Sequence, residues 1–388
     1  MAMYQEFIER GILLRNAATI TLEVRPEQIA PGVEIHPGCQ ISGETTSIGP
    51  NCRIGTEGPV RLEDCQLGRN VTFASGFAKQ TTLLDGVTVG ANAHIRPGSL
   101  LEEQASTAHC VGLKQTLMMP FATLGSLINF CDCLLAGGTS RSNHSEVGSS
   151  FVHFNFTPRG DKATPSLFGD VPSGILLDQA PIFLGGQCGV VGPVRVAYGC
   201  IQAAGSVLRR DASKPNTLLT PGNPLKGQET PNFDPRAYGN ISRIVRNNCI
   251  YMGNLHALHA WYKTVRSQWL AADSYSKACL QGATERLQQM VAERTKQLGR
   301  MAEKVAQSPT THPSHEKFKA FLATCDLSLL ETTPAVPDIL QQHIESNRQS
   351  DYITCIQSLS ENGKAQTRAW LQSMVDQIQT QWEQAANE

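Results

Sequence analysis

Proton transfer near neutral pH is imidazole work, and two histidines stand out in this chain. His144 lies in Ser142-Asn-His-Ser-Glu-Val147, with Glu146 two residues on to orient its ring, and His153 stands beside Asn155. Both could instead join His109 in a zinc centre drawing ligands from separate chains. The three lack the close pairing such a centre asks for, so no metal is expected. Cys131-Asp-Cys133 has the wrong spacing for a zinc knuckle, and Cys39, Cys52 and Cys65, thirteen apart, read as small buried corner residues. Gly137-Gly-Thr-Ser-Arg-Ser142 has the glycines of a phosphate loop without its Gly-Lys-Ser/Thr signature. Any single histidine could also be a satisfied structural residue.

The elements that must position these groups follow from a repeat. Apolar residues recur every six positions at Ile35 and Ile41, at Ile48 and Ile54, at Val89, Ile95 and Leu101, and from Leu184 through Val190 and Val196 to Gln202 and Leu208. A period of six fits neither a helix nor a simple alternation. It fits a solenoid of short strands, one apolar side chain per strand pointing inward and Gly or Asn at the corners. Of 33 glycines only Gly239, Gly253, Gly282, Gly299 and Gly363 lie beyond residue 230, so the chain has two halves. The division expected is a helix and lead-in strand over 1–27, the solenoid over 28–230 and a helical domain over 231–388. The register breaks at Thr45–Ser47, over 120–143 and over 155–180. The last two are expected to be inserted loops, 155–180 forming a flap over the site.

In the second half, Ile244, Val245, Met252, Leu255, Leu258 and Tyr262 make one helical stripe. Leu287, Met290, Val291, Leu298, Met301 and Val305 make another, and Trp370, Met374, Ile378 and Trp382 a third. Such stripes serve as core or subunit contacts. With 33 Lys plus Arg against 34 Asp plus Glu, the net charge of −1 argues against coating nucleic acid or an anionic membrane. No run approaches a membrane span, the first residues do not form a signal peptide, and twelve Cys without a secreted-type spacing suggest reduced thiols in the cytoplasm.

The repeat resembles the left-handed parallel β-helix family of acyltransferases, over roughly residues 28–212. The stretch from Ile182 to Asp211 is similar to the acetyltransferase half of the bifunctional UDP-N-acetylglucosamine pyrophosphorylase/glucosamine-1-phosphate N-acetyltransferases. With the repeat starting near residue 28, no uridylyltransferase half is expected. The resemblance implies a homotrimer that takes acetyl-CoA and a phosphorylated sugar. It implies that Arg96, in an Arg-Pro-Gly turn, and Lys114, eighteen residues later, hold the sugar phosphate as fork and point charge. It places Ser126 and Asn129 where that family has a His general base and a Tyr. Asn155-Phe156 matches an Asn-Tyr pair that serves catalysis and cofactor binding, with Lys162 near a family lysine on the substrate side. Gly186 and Ala204 fall where backbone meets the pantetheine arm, and Arg210 near the cofactor phosphates.

A serine without its own base cannot take a proton from an amino sugar at neutral pH. His144, eighteen residues after Ser126, would stack one coil along and take over that work if no residues are inserted between them. The sequence thus reads as an acetyltransferase of amino-sugar phosphates. A solenoid that binds ligand without catalysis, a scaffold subunit, is the alternative that Ser126 favours.

Overall fold

A computed structural model describes residues 4–221, 231–328 and 334–385. The expected left-handed parallel β-helix followed by a helical region is the architecture found. Its strands form three walls. Wall A is a parallel sheet of 11 strands from Leu13–Leu14 to Leu218–Leu219. Wall B runs from Thr21–Glu23 through Ala93–Ile95 to Val207–Leu208, and wall C from Ser47–Ile48 through Ser99–Leu101 to Arg195–Val196. Gly112–Met118 and Asn129–Leu135 each continue round the corner from wall B into wall C, which joins the two walls into one sheet. The periodic residues point inward as expected: Ile35, Ile54, Val89, Ile95, Leu101, Leu184 and Val190 are all fully buried. All twelve cysteines are free thiols, and Cys39, Cys52 and Cys65 are buried inside the coils.

The boundaries differ in instructive ways. The N-terminal helix α1 (Gln5–Glu9) is present, but the strand after it, Leu13–Leu14, pairs with Glu34–Ile35 as the first rung, so the solenoid starts upstream of residue 28. The stretch 120–143 is not one loop: Thr123–Leu124 and Asn129–Leu135 are regular rungs, and the excursion is an antiparallel hairpin of Gly138–Ser140 with Asn143–His144. The stretch 155–180 is divided by a regular wall C rung, Ser166–Phe168, followed by the short helix α2 (Val171–Gly174). Leu167, Phe168, Ile175, Leu176 and Leu177 are buried, so this stretch is packed into the body and is no flap. The expected boundary at 230–231 adjoins residues 222–230, which lie outside those described.

The helical region comprises α3 (Ser242–Thr264), α4 (Ser274–Ala306), α5 (Pro313–Thr324), α6 (Asp338–Ser346), α7 (Tyr352–Gln357) and α8 (Glu361–Gln384). It covers wall C. The outward row there, Leu100, Leu117, Leu134 and Leu167, is at most 2% exposed. That apolar face is hidden by the chain's own helices. Buried ion pairs join the two parts. Arg266 of the turn after α3 bonds Glu103, and Tyr262 Oη donates to Glu102 at 2.5 Å. No helix among the described residues is long and apolar enough to cross a membrane.

Candidate active site on wall B

Wall C is covered, and wall B presents its outer face. Along it His94, Gly112, Asn129 and Val152 lie on successive strands, while Ile95, Leu113, Phe130 and His153 form the inner row. His94 stacks on Phe77 with ring centroids 5.0 Å apart, and Asn129 is exposed. Between them Gly112 leaves a shallow gap, because a Cβ there would meet only the Ile128 carbonyl, at 3.8 Å. Strands two apart are separated by about 10 Å, enough for one sugar ring.

Past the inner row the chain points out again. Arg96 and Lys114 follow the paired residues Ile95 and Leu113, so the two expected cations occupy neighbouring rungs on one row. Cys131 comes next, opposite Lys114, and Arg96 Nη2 reaches its Sγ at 3.3 Å. Burial pushes the Cys131 thiol up, with Arg96 pulling the other way. The corner residue Asp132 takes a left-handed φ of 60°, is buried, and accepts from Arg294 Nη2 of α4 at 2.8 Å. Burial raises its carboxyl pKa against the opposing pull of Arg294, Lys114 and the Asn155 amide. Arg294 Nη1 also donates to the Lys162 carbonyl at 3.1 Å. One buried ion pair thus ties the Lys162 backbone to the corner between walls B and C, with Lys114 and Asn155 near enough to act on Asp132.

A second row lies at the opposite corner, between walls A and B. The wall A partners Thr107, Leu124, Val147, Leu184 and Gln202 are each followed two residues later by His109, Ser126, Ser149, Gly186 and Ala204. Backbone bonds tie these rungs: Leu127 N–H donates to the His109 carbonyl at 3.1 Å, Ser150 N–H to the Ser126 carbonyl at 2.8 Å, and Gln187 N–H to the Ser149 carbonyl at 2.8 Å. Ser126, Gly186 and Ala204, expected to serve sugar and cofactor separately, are therefore three positions of one ladder. Ser126 Oγ lies 3.0 Å from His109 Nδ1, and the Ser126 N–H donates to Ser149 Oγ at 3.2 Å.

His144 does not stack beside Ser126. The hairpin lengthens the coil, so Ser149 takes the next rung and His144 sits on the hairpin itself. Its Nδ1 meets the Arg141 carbonyl at 2.8 Å and its Nε2 is 3.9 Å from Glu146 Oε2. His153 belongs to the inner row, with Nε2 2.8 Å from Ser166 Oγ. Burial, with a smaller push from Arg294, drives its pKa down to about 3, so it is neutral and cannot exchange protons with a surface ligand. Phe156 is 62% exposed just past the wall B strand Val152–Phe154, and Arg210 is exposed near the end of the last wall B strand. Among the described residues no group of three or more His, Cys, Asp and Glu gathers to hold a metal ion.

Sequence reasoning missed the pairing of His109 with Ser126. The signal was there: this coil is seventeen residues long, not eighteen, and His109 stands seventeen before Ser126. His94, beside the Gly112 gap, was missed as well.

No protein-family model matches the chain. The bifunctional protein GlmU of Thermotoga petrophila is 28% identical over 211 residues, which is 54% of this chain and 42% of that protein. Over that stretch the chain is similar to GlmU. The bifunctional protein GlmU of Pelobacter propionicus is 29% identical over 213 residues, covering 53% of this chain and 41% of its own length. This chain thus spans less than half the length of the GlmU proteins it matches. Among solved structures, LpxA from Acinetobacter baumannii aligns with 71% of this chain and 97% of its own at 15% identity and a TM-score of 0.26. The polySia specific acetyltransferase NeuO aligns with 58% of this chain and 88% of its own at 11% identity and a TM-score of 0.17. The fold itself is carried by the strand register described above.

Proposed function

We propose that this protein transfers an acetyl group from acetyl-CoA to the amine of a phosphorylated amino sugar of the glucosamine-1-phosphate kind, as a step toward a sugar nucleotide. One observation carries the reading: Arg96 and Lys114 stand on neighbouring rungs of one outward row, beside the gap over Gly112. A guanidinium fork and an ammonium about 5 Å apart along the wall suit a phosphate. The sugar ring would lie over Gly112, with Asn129 and Asn155 within reach of its hydroxyls and Lys162 at the rim. The small residues Gly186 and Ala204 would form the lane for the pantetheine arm, with Phe156 beside it and Arg210 toward the cofactor's phosphates. We place the protein in the cytoplasm, consistent with its free thiols, and as a homotrimer. The trimer is supported by the exposed apolar row Phe183, Ile201 and Leu218 on successive wall A strands.

Calorimetry with glucosamine-1-phosphate and with acetyl-CoA, followed by a thiol-release assay, tests this. Arg96→Ala should weaken sugar-phosphate binding about 10- to 100-fold, the worth of one charge-assisted contact, and leave acetyl-CoA affinity unchanged. Binding of both ligands without thiol release from any amino-sugar phosphate would replace the transferase with a ligand-binding scaffold subunit.

A further inference from the structure

We infer that Ser126 and His109 form a proton relay in which the Ser126 hydroxyl takes the proton of the acceptor amine and passes its own to His109 Nδ1. The inference rests on the acetyl-transfer reading above and supplies the base that it lacks. The hydroxyl of a lone serine is far too weak a base for an amine attacking a thioester. One that gives its hydrogen to an imidazole in the same event is not so limited.

The geometry is specific. Ser126 Oγ is 3.0 Å from His109 Nδ1, and the serine is pinned on both backbone sides, its N–H on Ser149 Oγ at 3.2 Å and its carbonyl under the Ser150 N–H at 2.8 Å. These bonds fix the serine backbone beside the His109 rung, with Oγ within hydrogen-bond distance of the ring. His109 is exposed and Ser126 half-buried, so a ligand can reach the pair. The same ladder carries Gly186 and Ala204, and Asn129 begins the wall B strand three residues beyond Ser126, which sets the pair at the edge of the gap over Gly112. His144 and His153 are held elsewhere, by the Arg141 carbonyl and by Ser166. The relay requires the tautomer in which Nδ1 accepts from Ser126 and Nε2 carries the hydrogen.

The step balances. The neutral amine attacks the thioester carbonyl and forms the C–N bond. As the addition intermediate collapses, one N–H proton moves to Ser126 Oγ and the Ser126 proton moves to His109 Nδ1. The C–S pair leaves with sulfur as the thiolate. His109 then returns its proton through solvent, so amine and thioester yield amide and free thiol.

The test uses the full chain, acetyl-CoA and glucosamine-1-phosphate, with thiol release followed against pH. His109→Ala and Ser126→Ala should each lower kcat by about 10²–10³-fold with little change in either KM. The double variant should be no worse than either single, as expected of groups acting as a unit. Ser126→Thr, which keeps the hydroxyl, should recover most of the loss. Independently of turnover, imidazole ¹⁵N shifts should report His109 Nδ1 as an acceptor in wild type, and that signature should disappear in Ser126→Ala. Turnover by wild type with His109→Ala equally active, or loss confined to His144→Ala, overturns the relay and leaves the transferase standing. A wild type that binds both ligands and releases no thiol overturns the transferase reading and the relay with it, before any variant is compared.

Discussion

Two buried residues give the protein opposite responses to acid. His153 is neutral inside the coils with a pKa near 3, against about 6.5 for a free imidazole. Its depressed value means that stability is full above about pH 6.5 and is lost as pH falls toward 3. Glu102, held by Tyr262 and pushed up to about 7 by burial against the pull of Arg266, runs the other way. It favours the fold fully below its free value, and that contribution is lost as pH rises through 7. Urea unfolding at pH 7 and pH 5 separates them. His153→Gln should lose less stability on acidification than wild type, by about 2 kcal/mol, and Glu102→Gln should lose more; parallel slopes would refute both assignments. Neither role was legible in the sequence. His153 drew attention because it neighbours Asn155, and only the strand register reveals that it points inward. Arg96 and Lys114 were legible because coil length places residues eighteen apart on neighbouring rungs of a regular stretch. His144 was misplaced for the same reason, since equal spacing means nothing across an insertion.

Helix α4 is where sequence pattern and tertiary fit meet. Its apolar stripe, Leu287, Met290, Val291, Leu298, Met301 and Val305, is buried as the 3.6-residue period requires. Arg294 falls on that same face, four residues beyond Met290, and a charge there is the one sequence hint of its pairing with Asp132. Removing one partner of a buried pair strands the other, so Arg294→Ala should lower unfolding free energy by about 3–5 kcal/mol. Gly282 is the other constraint. A Cβ there would lie 2.2 Å from Gln66 Oε1 and 2.6 Å from Thr82 Oγ1, which are themselves in the wall C ladder. Gly282→Ala improves helix propensity yet should destabilise by about 1–3 kcal/mol through overpacking. A raised urea midpoint would show that α4 can shift along wall C. The rungs within 120–135 escaped the sequence reading because the strand through Asp132 turns its corner without a glycine, so nothing in the composition marks it.

Across the whole molecule each wall has its own fate. Wall C is sealed by helices, wall B carries the cations and the Ser126–His109 pair, and the last coils of wall A expose Phe183, Ile201 and Leu218 at 41%, 47% and 62%. Sedimentation at micromolar concentration should give a trimer, and Ile201→Asp should dissociate it while leaving circular dichroism unchanged; a wild-type monomer would remove the trimer. A chain ended at residue 221 should keep β-rich dichroism, since each coil rests on its neighbours, but should aggregate through the uncovered leucines of wall C. A soluble truncated chain would show that α3 and α4 are dispensable for covering that face.

The ladder of His109, Ser126, Ser149, Gly186 and Ala204 has translational pseudo-symmetry: each position is the last one moved about 4.8 Å along the axis. Each rung is followed by a residue in the left-handed region, Cys110, Leu127, Ser150, Gln187 and Gly205, so the backbone turns the same way at every one. In such a lattice a chemical role can hop by one repeat without rebuilding anything, and a histidine lost at one rung can be answered by a histidine one period away. Comparing relatives column by column would score that hop as the loss of a base, whereas comparing them modulo one coil would score it as a shift.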